Sequence, residues 1–599
     1  MTSHPMDYYI SRVSELSIEL SRVKNITSRL HIVRLILFLI FVTVFILSFS
    51  GSYTPLYVVA TILFLLLFVT VAIYDLRMRR WRREVENRIK FNEEELKTLR
   101  HDFAFRDDGV QFATLNSHLS GDFDLFGKGS LYQYLNRSVT LRGRSRFAAS
   151  LVACELDRER IISRMGAIKE LSAKMNFIED FAAVGCEIKE CGAEVENLLQ
   201  WLKAEDSKES FINVVRFILP AATLLILLLS ILGYVPLGIF SLTFIGSLIA
   251  VYFNTKKLNQ AHSLLGRSAE ILERYSKLIS LIEMESFTSD LLGFEKRKLT
   301  TEKLSASRSI KGLKNILDRF DYRFNVYVSI VLNGILLFDY HTFMSLLKWR
   351  REHRATIENW FDAVTQIDSL IGLGVYGHNT IGGSRYADIL DGEFQISARD
   401  MGHPLLSSEV RVSNSIEIKN RPSIVIITGA NMAGKSTFLR TLAVNLILGM
   451  NGAPICGESF AFTPIKLFSS IKIQDSLMNR ESYFYAELLR LSEILESTKS
   501  QPQSMIILDE ILRGTNTRDK QQGSIGLLRK IIDQRGVAII ATHDLVIGKM
   551  EEEFPDIVSN YCFEVEIDGE RLSFDYKLKN GISCKLNASF LMRQMGIID

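Results

Sequence analysis

The sequence predicts an α-helical N-terminal region that carries two apolar, membrane-crossing hairpins, followed by an α/β domain with a parallel sheet. Three observations predict this fold class. The stretches 35–74 and 217–253 contain no charged residue. In the rest of the chain before about residue 375, apolar residues recur at spacings of three and four, as in long helices. After that point, short β-branched runs separated by Gly, Pro and Asn alternate with helical stretches.

The first uncharged stretch predicts a membrane anchor over residues 1–84. Gly51–Pro55 supplies a turn halfway, which leaves two apolar arms at about 32–49 and 56–74. Each arm has about the 17–25 residues that a helix needs to cross a bilayer. A very buried core hairpin is the alternative, but so long a run without charge is rare in a soluble core.

The second uncharged stretch predicts another transmembrane hairpin, over residues 211–254. Its turn lies around Gly233–Pro236, between spans at about 213–232 and 235–253. Together the two hairpins give a prediction of four spans. Since the spans carry no charged residue and few polar ones, they offer no substrate path, and anchoring is the simplest role for them.

Basic residues flank both hairpins, whereas the turns inside the hairpins carry no Lys or Arg. The positive-inside rule therefore places both termini in the cytoplasm and predicts a multi-pass protein of the inner (cytoplasmic) membrane, with its C-terminal domain in the cytoplasm. The flanking basic residues are Arg12, Arg22, Lys24, Arg29, Arg77, Arg79, Arg80, Arg82, Arg83, Lys203, Lys208, Arg216, Lys256 and Lys257.

The remaining N-terminal sequence predicts a helical core in two parts, residues 85–210 and 255–374, and the α/β domain occupies 375–599. One further apolar run, Val326–Phe338, is short, includes Asn333 and is closed by Asp339. We therefore predict a buried helix there rather than a fifth span.

Composition excludes a generally basic nucleic-acid-binding protein, because the net charge is only +3. Any contact with DNA must then be a local patch. The six cysteines form no C-x-x-C pair, which is typical of scattered reduced thiols in a cytosolic protein.

The most informative motif is a phosphate-binding loop, G-x-x-x-x-G-K-S, that runs from Gly429 to Ser436. It follows the buried-strand run Ser423–Ile427 and precedes a predicted helix, Thr437–Leu448. In that strand–loop–helix context, backbone N–H groups and the helix N-terminus cradle phosphates. Lys435 would reach the β- and γ-phosphates, and the Ser436 hydroxyl would hold Mg²⁺. The sequence therefore predicts binding of ATP or GTP.

Two later strands end in residues suited to the same chemistry. The predicted strand Ser504–Leu508 ends in Asp509-Glu510, where Asp509 would orient Mg²⁺ and Glu510 would polarise the attacking water. The predicted strand Gly536–Ala541 ends in Thr542-His543-Asp544, where His543 could sense the γ-phosphate by a hydrogen bond. Taken alone, a histidine at this place is more often an ordinary surface residue.

The nucleotide loop Thr428–Thr437, with Asn431-Met432 before its last glycine, resembles that of MutS, the DNA mismatch repair ATPase family. Further resemblances cover about residues 395–599 and include the acidic motif, the histidine switch and the signature helix. These motifs read Gly402-His403-Pro404, Ser482-Tyr483-Phe484 with Glu487, Asp509-Glu510 with Arg513-Gly514-Thr515, Ala541-Thr542-His543, and Tyr576-Lys577-Leu578 with Gly581 and Ser583.

A weaker resemblance extends upstream, and the departures from the family are informative. Gly129-Ser130-Leu131 and Leu135–Thr140 resemble the start of the MutS core, and Ile335–Asp339 resembles the end of its lever helices. The mismatch-reading domain has no room here, and the second hairpin lies where MutS carries its DNA clamp at the lever tip. The C-terminal dimerisation helices of many relatives are also missing, and Ala430 and Ala433 replace the usual Pro and Gly of the loop.

The resemblance implies an ABC-type P-loop ATPase that uses ATP and Mg²⁺ and acts as a homodimer. The implied catalytic residues are Glu510, His543 and Lys435, and the implied metal ligands are Ser436 and Asp509. Ser482 of each subunit would complete the site of the other. The implied nucleotide-binding residues are Gly429, Asn431, Met432, Ala433, Gly434, Lys435, Ser436 and Thr437.

Three functions remain open at this stage. A MutS-type switch tethered to the membrane would act on mismatched or structured DNA, whereas a membrane-associated ATPase of a second kind would act on lipid or a protein partner without nucleic acid. A nucleotide-gated scaffold without hydrolysis is disfavoured by intact Lys435, Asp509 and Glu510. The basic residues Arg142, Arg144 and Arg146 fit a DNA contact, a solvated face or an anionic-lipid contact equally well.

Overall fold

The computed structural model describes residues 4–49, 54–186, 193–203, 210–265, 268–301, 304–380, 385–430, 432–472, 483–512, 515–568 and 571–583. Its N-terminal part is helical apart from one two-stranded ribbon, and its C-terminal part is an α/β domain. This division agrees with the predicted fold class. The turn residues 51–53 of the first hairpin, the nucleotide-loop residue Asn431 and the signature residue Ser482 lie outside the described residues.

The first hairpin consists of two unbroken helices, α1 (Pro5–Leu47) and α2 (Thr54–Leu99), which pack along each other. At 43 and 46 residues they are about 65 and 69 Å long, roughly twice the thickness of the hydrocarbon core of a bilayer. Both are long and apolar enough to cross a membrane, and their apolar segments expose their side chains. Beyond those segments, the fully buried Asp75 of α2 is held by Arg34 at 3.1 Å and by Arg79 at 2.8 Å.

The polar ends of the first hairpin are docked on the helical core through buried charges. Glu95 of α2 accepts hydrogen bonds from Arg137 (2.6 and 3.0 Å) and from Arg106 (2.8 Å). The Tyr9 hydroxyl of α1 donates to Asn379, whose amide in turn donates to Glu95. The N-terminal part of α1, which the sequence assigned to the membrane anchor, is therefore an integral part of the core packing.

A second carboxylate repeats this docking. Glu179, which is almost fully buried, accepts two guanidinium hydrogen bonds from Arg12 of α1, at 3.0 and 3.1 Å. It also accepts a hydrogen bond from the side-chain amide of Asn92 of α2, at 3.1 Å. Both helices of the first hairpin are thus held by the same buried carboxylate.

The helical core is assembled from segments on both sides of the second hairpin. Its first part comprises α3 (Ser117–Asp122), α4 (Leu131–Leu135), α5 (Leu141–Val152), α6 (Arg158–Ala173), α7 (Met175–Gly185) and α8 (Ala193–Lys203). The second hairpin follows as α9 (Ser210–Ile231) and α10 (Leu237–Leu265). The chain then continues through α11 (Ser268–Met284), α12 (Asp290–Leu299), β1 (Thr300–Thr301), β2 (Leu304–Ser305), α13 (Ala306–Asp321), α14 (Val326–Leu336), α15 (Phe338–His353) and α16 (Ile357–Asn379).

The prediction of four spans is not supported. Among the described residues, two helices qualify as membrane spans by length and composition, and both belong to the first hairpin. In the second hairpin, the apolar stretches with described side chains are Arg216–Ile231 and Leu237–Phe253, and residues 232–236 form the turn between them. Taken together, α14 and α15 also pass the test, but they are bent by 81° at Leu337.

The prediction of a buried helix at Val326–Phe338 is wrong. Most apolar side chains of α14 are exposed, and Tyr327 is 85% exposed. The polar residues on which the prediction depended are the buried ones: Asn333 and Asp339 are each 3% exposed. The helix is therefore exposed on its apolar side and buried at its polar residues.

The C-terminal domain is built on a six-stranded sheet of order β10-β11-β12-β7-β13-β14, parallel except for the last strand. A four-stranded sheet, β4-β9-β5-β6, and the pair β3-β8 complete it. In chain order the elements are β3 (Arg385–Tyr386), β4 (Asp388–Ile389), β5 (Gln395–Met401), β6 (Asn414–Lys419), β7 (Ser423–Gly429), α17 (Lys435–Met450), β8 (Pro454–Ile455), β9 (Ser459–Phe462), β10 (Lys466–Ser470), α18 (Tyr483–Ser500), β11 (Ser504–Asp509), α19 (Thr517–Asp533), β12 (Val537–Thr542), α20 (Met550–Glu553), β13 (Val558–Asp568) and β14 (Arg571–Asn580).

The order of the strands in the six-stranded sheet brings the predicted nucleotide-binding motifs together. Strands β7, β11 and β12 are buried along their whole length, as their unbroken apolar runs predict. They are neighbours in the order β11-β12-β7 and run parallel. The nucleotide loop, the acidic pair and His543 each follow one of these strands, so all three lie at one edge of the sheet.

Candidate nucleotide-binding site

The nucleotide loop joins β7 to α17 and requires glycine at both of its ends. Gly429 has φ +150°, and a Cβ there would lie 2.7 Å from the Phe563 carbonyl oxygen. Gly434 has φ +107° and lies immediately before the first residue of α17. Both positions combine a left-handed backbone with a close neighbour, which L side chains tolerate poorly. The loop can therefore turn its backbone toward a ligand at the N-terminus of α17.

Lys435, the first residue of α17, is 4% exposed and its ammonium group lies inside the loop. Its Nζ donates hydrogen bonds to the carbonyl oxygens of Gly429, at 2.7 Å, and Ala430, at 2.8 Å. A buried ammonium group requires such acceptors, because an uncompensated buried charge is very costly. The loop thus holds the positive charge of Lys435 next to the carbonyl groups of Gly429 and Ala430.

The two predicted metal ligands are in direct contact. The Ser436 hydroxyl donates to Asp509 Oδ2 at 2.5 Å, so that the end of β11 is tied to the first turn of α17. A hydroxyl and a carboxylate are hard oxygen donors of the kind that Mg²⁺ prefers. The residues present therefore fit a Mg²⁺ ion shared with phosphate oxygens.

The two remaining predicted catalytic residues also lie together. His543 Nδ1 is 3.4 Å from Glu510 Oε1, and the Glu510 N–H donates to the Ala541 carbonyl across the neighbouring strands. Glu510 has φ +52°, a left-handed conformation that turns the chain away from the sheet directly after Asp509. Such backbone strain in a non-glycine residue often marks a functional position.

A residue noted in the sequence only as part of the signature helix has a structural role here. Glu487 of α18 is 1% exposed, and its Oε1 accepts the Leu512 N–H at 2.6 Å. It thereby fixes the segment that follows the acidic pair to the helix that follows Ser482. This hydrogen bond therefore connects the signature helix with the acidic pair of the same subunit.

An apolar wall beside the loop was not predicted from the sequence. A cavity of about 540 Å³ opens next to the loop, and Lys435, Ser436, Thr437 and Glu510 line its polar side. Its other side is formed by β5, by the segment before β6, and by β13 and β14, with the side chains Met401, Leu406, Val410, Val412, Phe563 and Tyr576. These residues are far apart in the chain, and only the neighbouring Gly402-His403-Pro404 motif could have indicated them.

Helix α17 connects the loop to the helical core. Near its start, Arg440 contacts Asp124 at 3.0 Å, and Asp124 also pairs with Lys472 at 2.7 Å. At its C-terminal end, Asn451 donates to the Ser150 carbonyl and accepts from Arg164, both at 3.0 Å. The helix that begins at the phosphate loop is therefore held by the core at both ends.

The motif histidine His403 is neutral at ordinary pH. Burial, together with the nearby Arg440, lowers its pKa to about 4. Its Nδ1 accepts the Leu405 N–H at 3.3 Å, which a protonated ring could not do. His403 therefore supports the chain next to the cavity rather than titrating.

With this geometry established, comparison with known proteins identifies the domain. A family profile described as MutS domain V matches residues 425–592, which include the loop, the acidic pair and His543. The C-terminal domain of the chain belongs to the MutS family. It has the P-loop ATPase fold of MutS domain V, in agreement with the prediction.

Three MutS relatives show how far the similarity extends. The DNA mismatch repair protein MutS of Persephonella marina is 30% identical over 214 residues, 35% of this chain and 24% of the relative. The protein of the same name from Thermotoga maritima is 26% identical over 261 residues, 43% of this chain and 32% of the relative. The human MutS protein homolog 4 is 25% identical over 312 residues, 50% of this chain and 32% of the relative. The match thus spans about a quarter to a third of the length of these MutS proteins.

Two basic residues of the helical core pair with other residues of the core. Arg146 pairs with Asp362 at 2.8 Å, and Arg144 approaches Asp107 at 4.0 Å and donates to the Ser138 carbonyl at 3.1 Å. Two of the three arginines that could have formed a basic patch are therefore engaged within the core.

Proposed function

We propose that this MutS-family chain is a Mg²⁺-dependent ATPase that works as a dimeric switch while tethered to a membrane. The contact between Ser436 and Asp509, next to the Glu510–His543 pair, carries the proposal. It brings a hydroxyl, a metal-binding carboxylate, a candidate base and a histidine to the mouth of one phosphate loop. ATP hydrolysis needs these groups together, because its catalysis is mostly positioning and electrostatic stabilisation.

Each residue of the loop has a defined task in this proposal. Lys435 moves from the loop carbonyls to the β- and γ-phosphates, and Ser436 and Asp509 hold Mg²⁺, which neutralises charge on the phosphate oxygens. Glu510 orients and polarises the attacking water, and His543 contacts the γ-phosphate. The backbone N–H groups of the loop bind phosphate oxygens, and these belong to Gly429, Asn431, Met432, Ala433, Gly434 and Thr437.

The homodimer follows from the family resemblance. Met432 in the nucleotide loop is 78% exposed and would be covered by the second subunit. In the dimer, Ser482 of each subunit completes the site of the other. The hydrogen bond that the Leu512 N–H donates to Glu487 then connects the two sites. Through it, ATP bound across the interface affects the acidic pair of the subunit that contributes Ser482.

The membrane tether is the first hairpin, whose two helices have the length and the exposed apolar segments that a span requires. The charge distribution around it places both termini and the ATPase domain on the cytoplasmic side of the inner membrane. Because the same helices are docked on the core, the tether is part of the folded protein rather than a flexible linker.

By family resemblance the target is DNA, mismatched or structured, and the names of two relatives print DNA mismatch repair. A second candidate, an ATPase that acts on lipid or a membrane-bound protein, is favoured by two observations. Arg144 and Arg146 are engaged by internal partners, and the hairpin of α9 and α10 exposes apolar side chains.

The ATPase rate of the full-length protein in nanodiscs tests the site. We expect Lys435→Ala to lose ATP binding, and Glu510→Gln to keep ATP binding while hydrolysis falls by about 10²–10⁴-fold. Glu493→Gln, an exposed carboxylate change on α18, is the matched control and should leave the rate unchanged. Normal hydrolysis by both site variants would refute the site assignment.

A salt series with duplex, mismatched and branched DNA decides between the two targets. Stimulation of the ATPase rate that fades steeply as salt rises would support the DNA target, because phosphate contacts release counterions. A flat response to every DNA, together with stimulation by anionic lipid, would support the membrane target.

A further inference from the structure

The second hairpin does not stand alone, because α14 packs against both of its arms. Helix α14 contacts α9 and α10, and the Phe244 ring of α10 lies directly on Gly334. A Cβ at Gly334 would come within 2.2 Å of that ring. Glycine thus permits the close approach of an apolar helix to an apolar helix, a packing that is common inside membranes.

The polar groups of α14 are satisfied within the protein. The Asn333 amide donates to the Ser329 hydroxyl at 3.1 Å, and its Oδ1 accepts the Asp339 N–H at 2.9 Å. Asp339 in turn lies 3.7 Å from Arg323, and both side chains are more than nine-tenths buried. The backbone break at Leu337 is also buried, and its N–H donates to the Asn333 carbonyl. Irregular backbone is tolerated at membrane depth under just these conditions.

The apolar surface of this three-helix unit faces outward on every helix. Ile231 of α9 is 74% exposed, Leu242 of α10 is 72% exposed, and Tyr327 of α14 is 85% exposed. A second protein copy would cover one face of such a unit, whereas a lipid environment covers all of them. Aromatic residues and an arginine stand together at one end, as at a membrane–water interface: Arg216, Phe217, Tyr252 and Phe253.

The first turn of α15 attaches the unit to the core. The Tyr340 hydroxyl donates to the Ala250 carbonyl of α10 at 2.8 Å, and His341 Nε2 lies 2.9 Å from the Arg216 carbonyl of α9. Further along α15, the Trp349 indole donates to the Ser309 carbonyl of α13 at 2.9 Å. Helix α15 therefore joins the apolar unit to the helices of the core, and α10 also packs against α8 and α13.

We infer that α9, α10 and α14 form a wedge, a unit of three helices that enters the bilayer from the cytoplasmic side, an inference that rests on the proposed membrane tether. Helix α9 has 22 residues and α10 has 29, about 33 and 44 Å, against a hydrocarbon core of about 30 Å. Helix α14 has 11 residues, about 16 Å, so it enters the membrane only part of the way. The occupant of the exposed apolar surface of the unit is lipid, and the three helices are embedded in it together.

Photolabelling of the native full-length protein tests the wedge. The protein is placed in nanodiscs that contain a phospholipid with a diazirine in its acyl chain, and labelled residues are located by peptide mass spectrometry. We expect label in 326–336 and 217–253 at a level comparable to 35–74. We expect about tenfold less at the exposed Val410 of the ATPase domain, which has no route to acyl chains.

The outcomes separate the wedge from the tether. Label in 35–74 and 217–253 but not in 326–336 would overturn the wedge, as would label confined to 35–74, and in both cases the tether stands. No label in any of the three segments would refute the tether itself.

A charge substitution gives a second, independent readout. Val331 is 53% exposed, so Val331→Asp should leave the protein packing intact. If its surroundings are lipid, we expect label in 326–336 to fall by about tenfold or more, because a carboxylate is excluded from hydrocarbon. Val410→Asp is the matched control, and an unchanged labelling pattern in Val331→Asp would overturn the wedge.

Discussion

The two apolar hairpins are attached to the same helical core in opposite ways. The first continues without a break into the core, where its helices are held by buried charge networks around Glu95 and Glu179. The second is held at its base by Tyr340 and His341, which contact main-chain carbonyl groups. Buried ion pairs fix one geometry strictly, since a displaced charge is left without compensation, whereas carbonyl contacts tolerate small shifts.

This difference suggests that the two hairpins have different roles. A hairpin that is fixed to the core by charges moves with the core as one body. A hairpin whose base is held by contacts to main-chain carbonyl groups can change its tilt when the core helices rearrange. We propose that the first hairpin sets the position of the ATPase domain relative to the membrane and that the second responds to ATP binding within the bilayer.

The largest expected effect comes from removing the buried carboxylate of the first hairpin. Glu95→Ala removes the carboxylate to which the buried Arg137 donates two hydrogen bonds. We expect a loss of about 3–5 kcal/mol in the free energy of unfolding, because the charge of Arg137 is then left uncompensated. Urea unfolding of the purified protein in detergent measures it.

Glu93→Ala is the matched control for this change, because Glu93 is an exposed carboxylate two residues away on the same helix. We expect it to alter the free energy of unfolding by less than about 0.5 kcal/mol. Equal losses in the two variants would mean that charge does not fix the first hairpin to the core.

A smaller and more local effect is expected in the second hairpin. Gly334→Val forces α14 away from Phe244, and we expect a cost of about 1–3 kcal/mol from overpacking. Hydrogen exchange followed by mass spectrometry should show faster exchange in 326–341 and no change in 80–99.

Gly246→Ala on α10 is the control, since a Cβ at Gly246 meets no atom within 4 Å. If Gly334→Val also accelerated exchange in 80–99, the two hairpins would form one cooperative unit, and the contrast between them would disappear.

The sequence was sufficient for the nucleotide site and insufficient for the attachment of the hairpins. Buried strands and their terminal residues are local patterns, and parallel neighbours bring Ser436, Asp509, Glu510 and His543 to one edge of the sheet. The Tyr9–Asn379 contact, by contrast, joins residues 370 positions apart. No local pattern encodes such a pair.

Helix α14 shows a second limit of sequence reasoning. Asn333 and Asp339 argued for a helix buried in the core, because polar groups within an apolar run are costly in lipid. In the fold they satisfy each other and Arg323, and the apolar side chains of α14 remain exposed. Whether a polar residue is compatible with a membrane therefore depends on its partners, which the one-dimensional sequence does not show.

The smallest expected effect is a dependence of the first attachment on pH. Burial opposes the ionisation of Glu95, but Arg137 and Arg106 outweigh it and hold the pKa of Glu95 below its usual value. The stabilisation from Glu95 is therefore complete above its pKa in the unfolded chain, about 4.3, and is lost as the pH falls further through the lower pKa of the folded state. We expect the free energy of unfolding to decrease with acidification below about pH 4.3.

The variant Glu95→Gln isolates this contribution, since other carboxylates titrate in both proteins. We expect a flatter decrease with acidification in Glu95→Gln than in the wild type, measured as urea midpoints between neutral pH and acid. If the two profiles ran parallel, the pKa of Glu95 would be the same in the folded and unfolded chains, and its charge would not fix the first hairpin. The distinction between a charge-fixed and a carbonyl-held hairpin would then reduce to a difference in the number of hydrogen bonds.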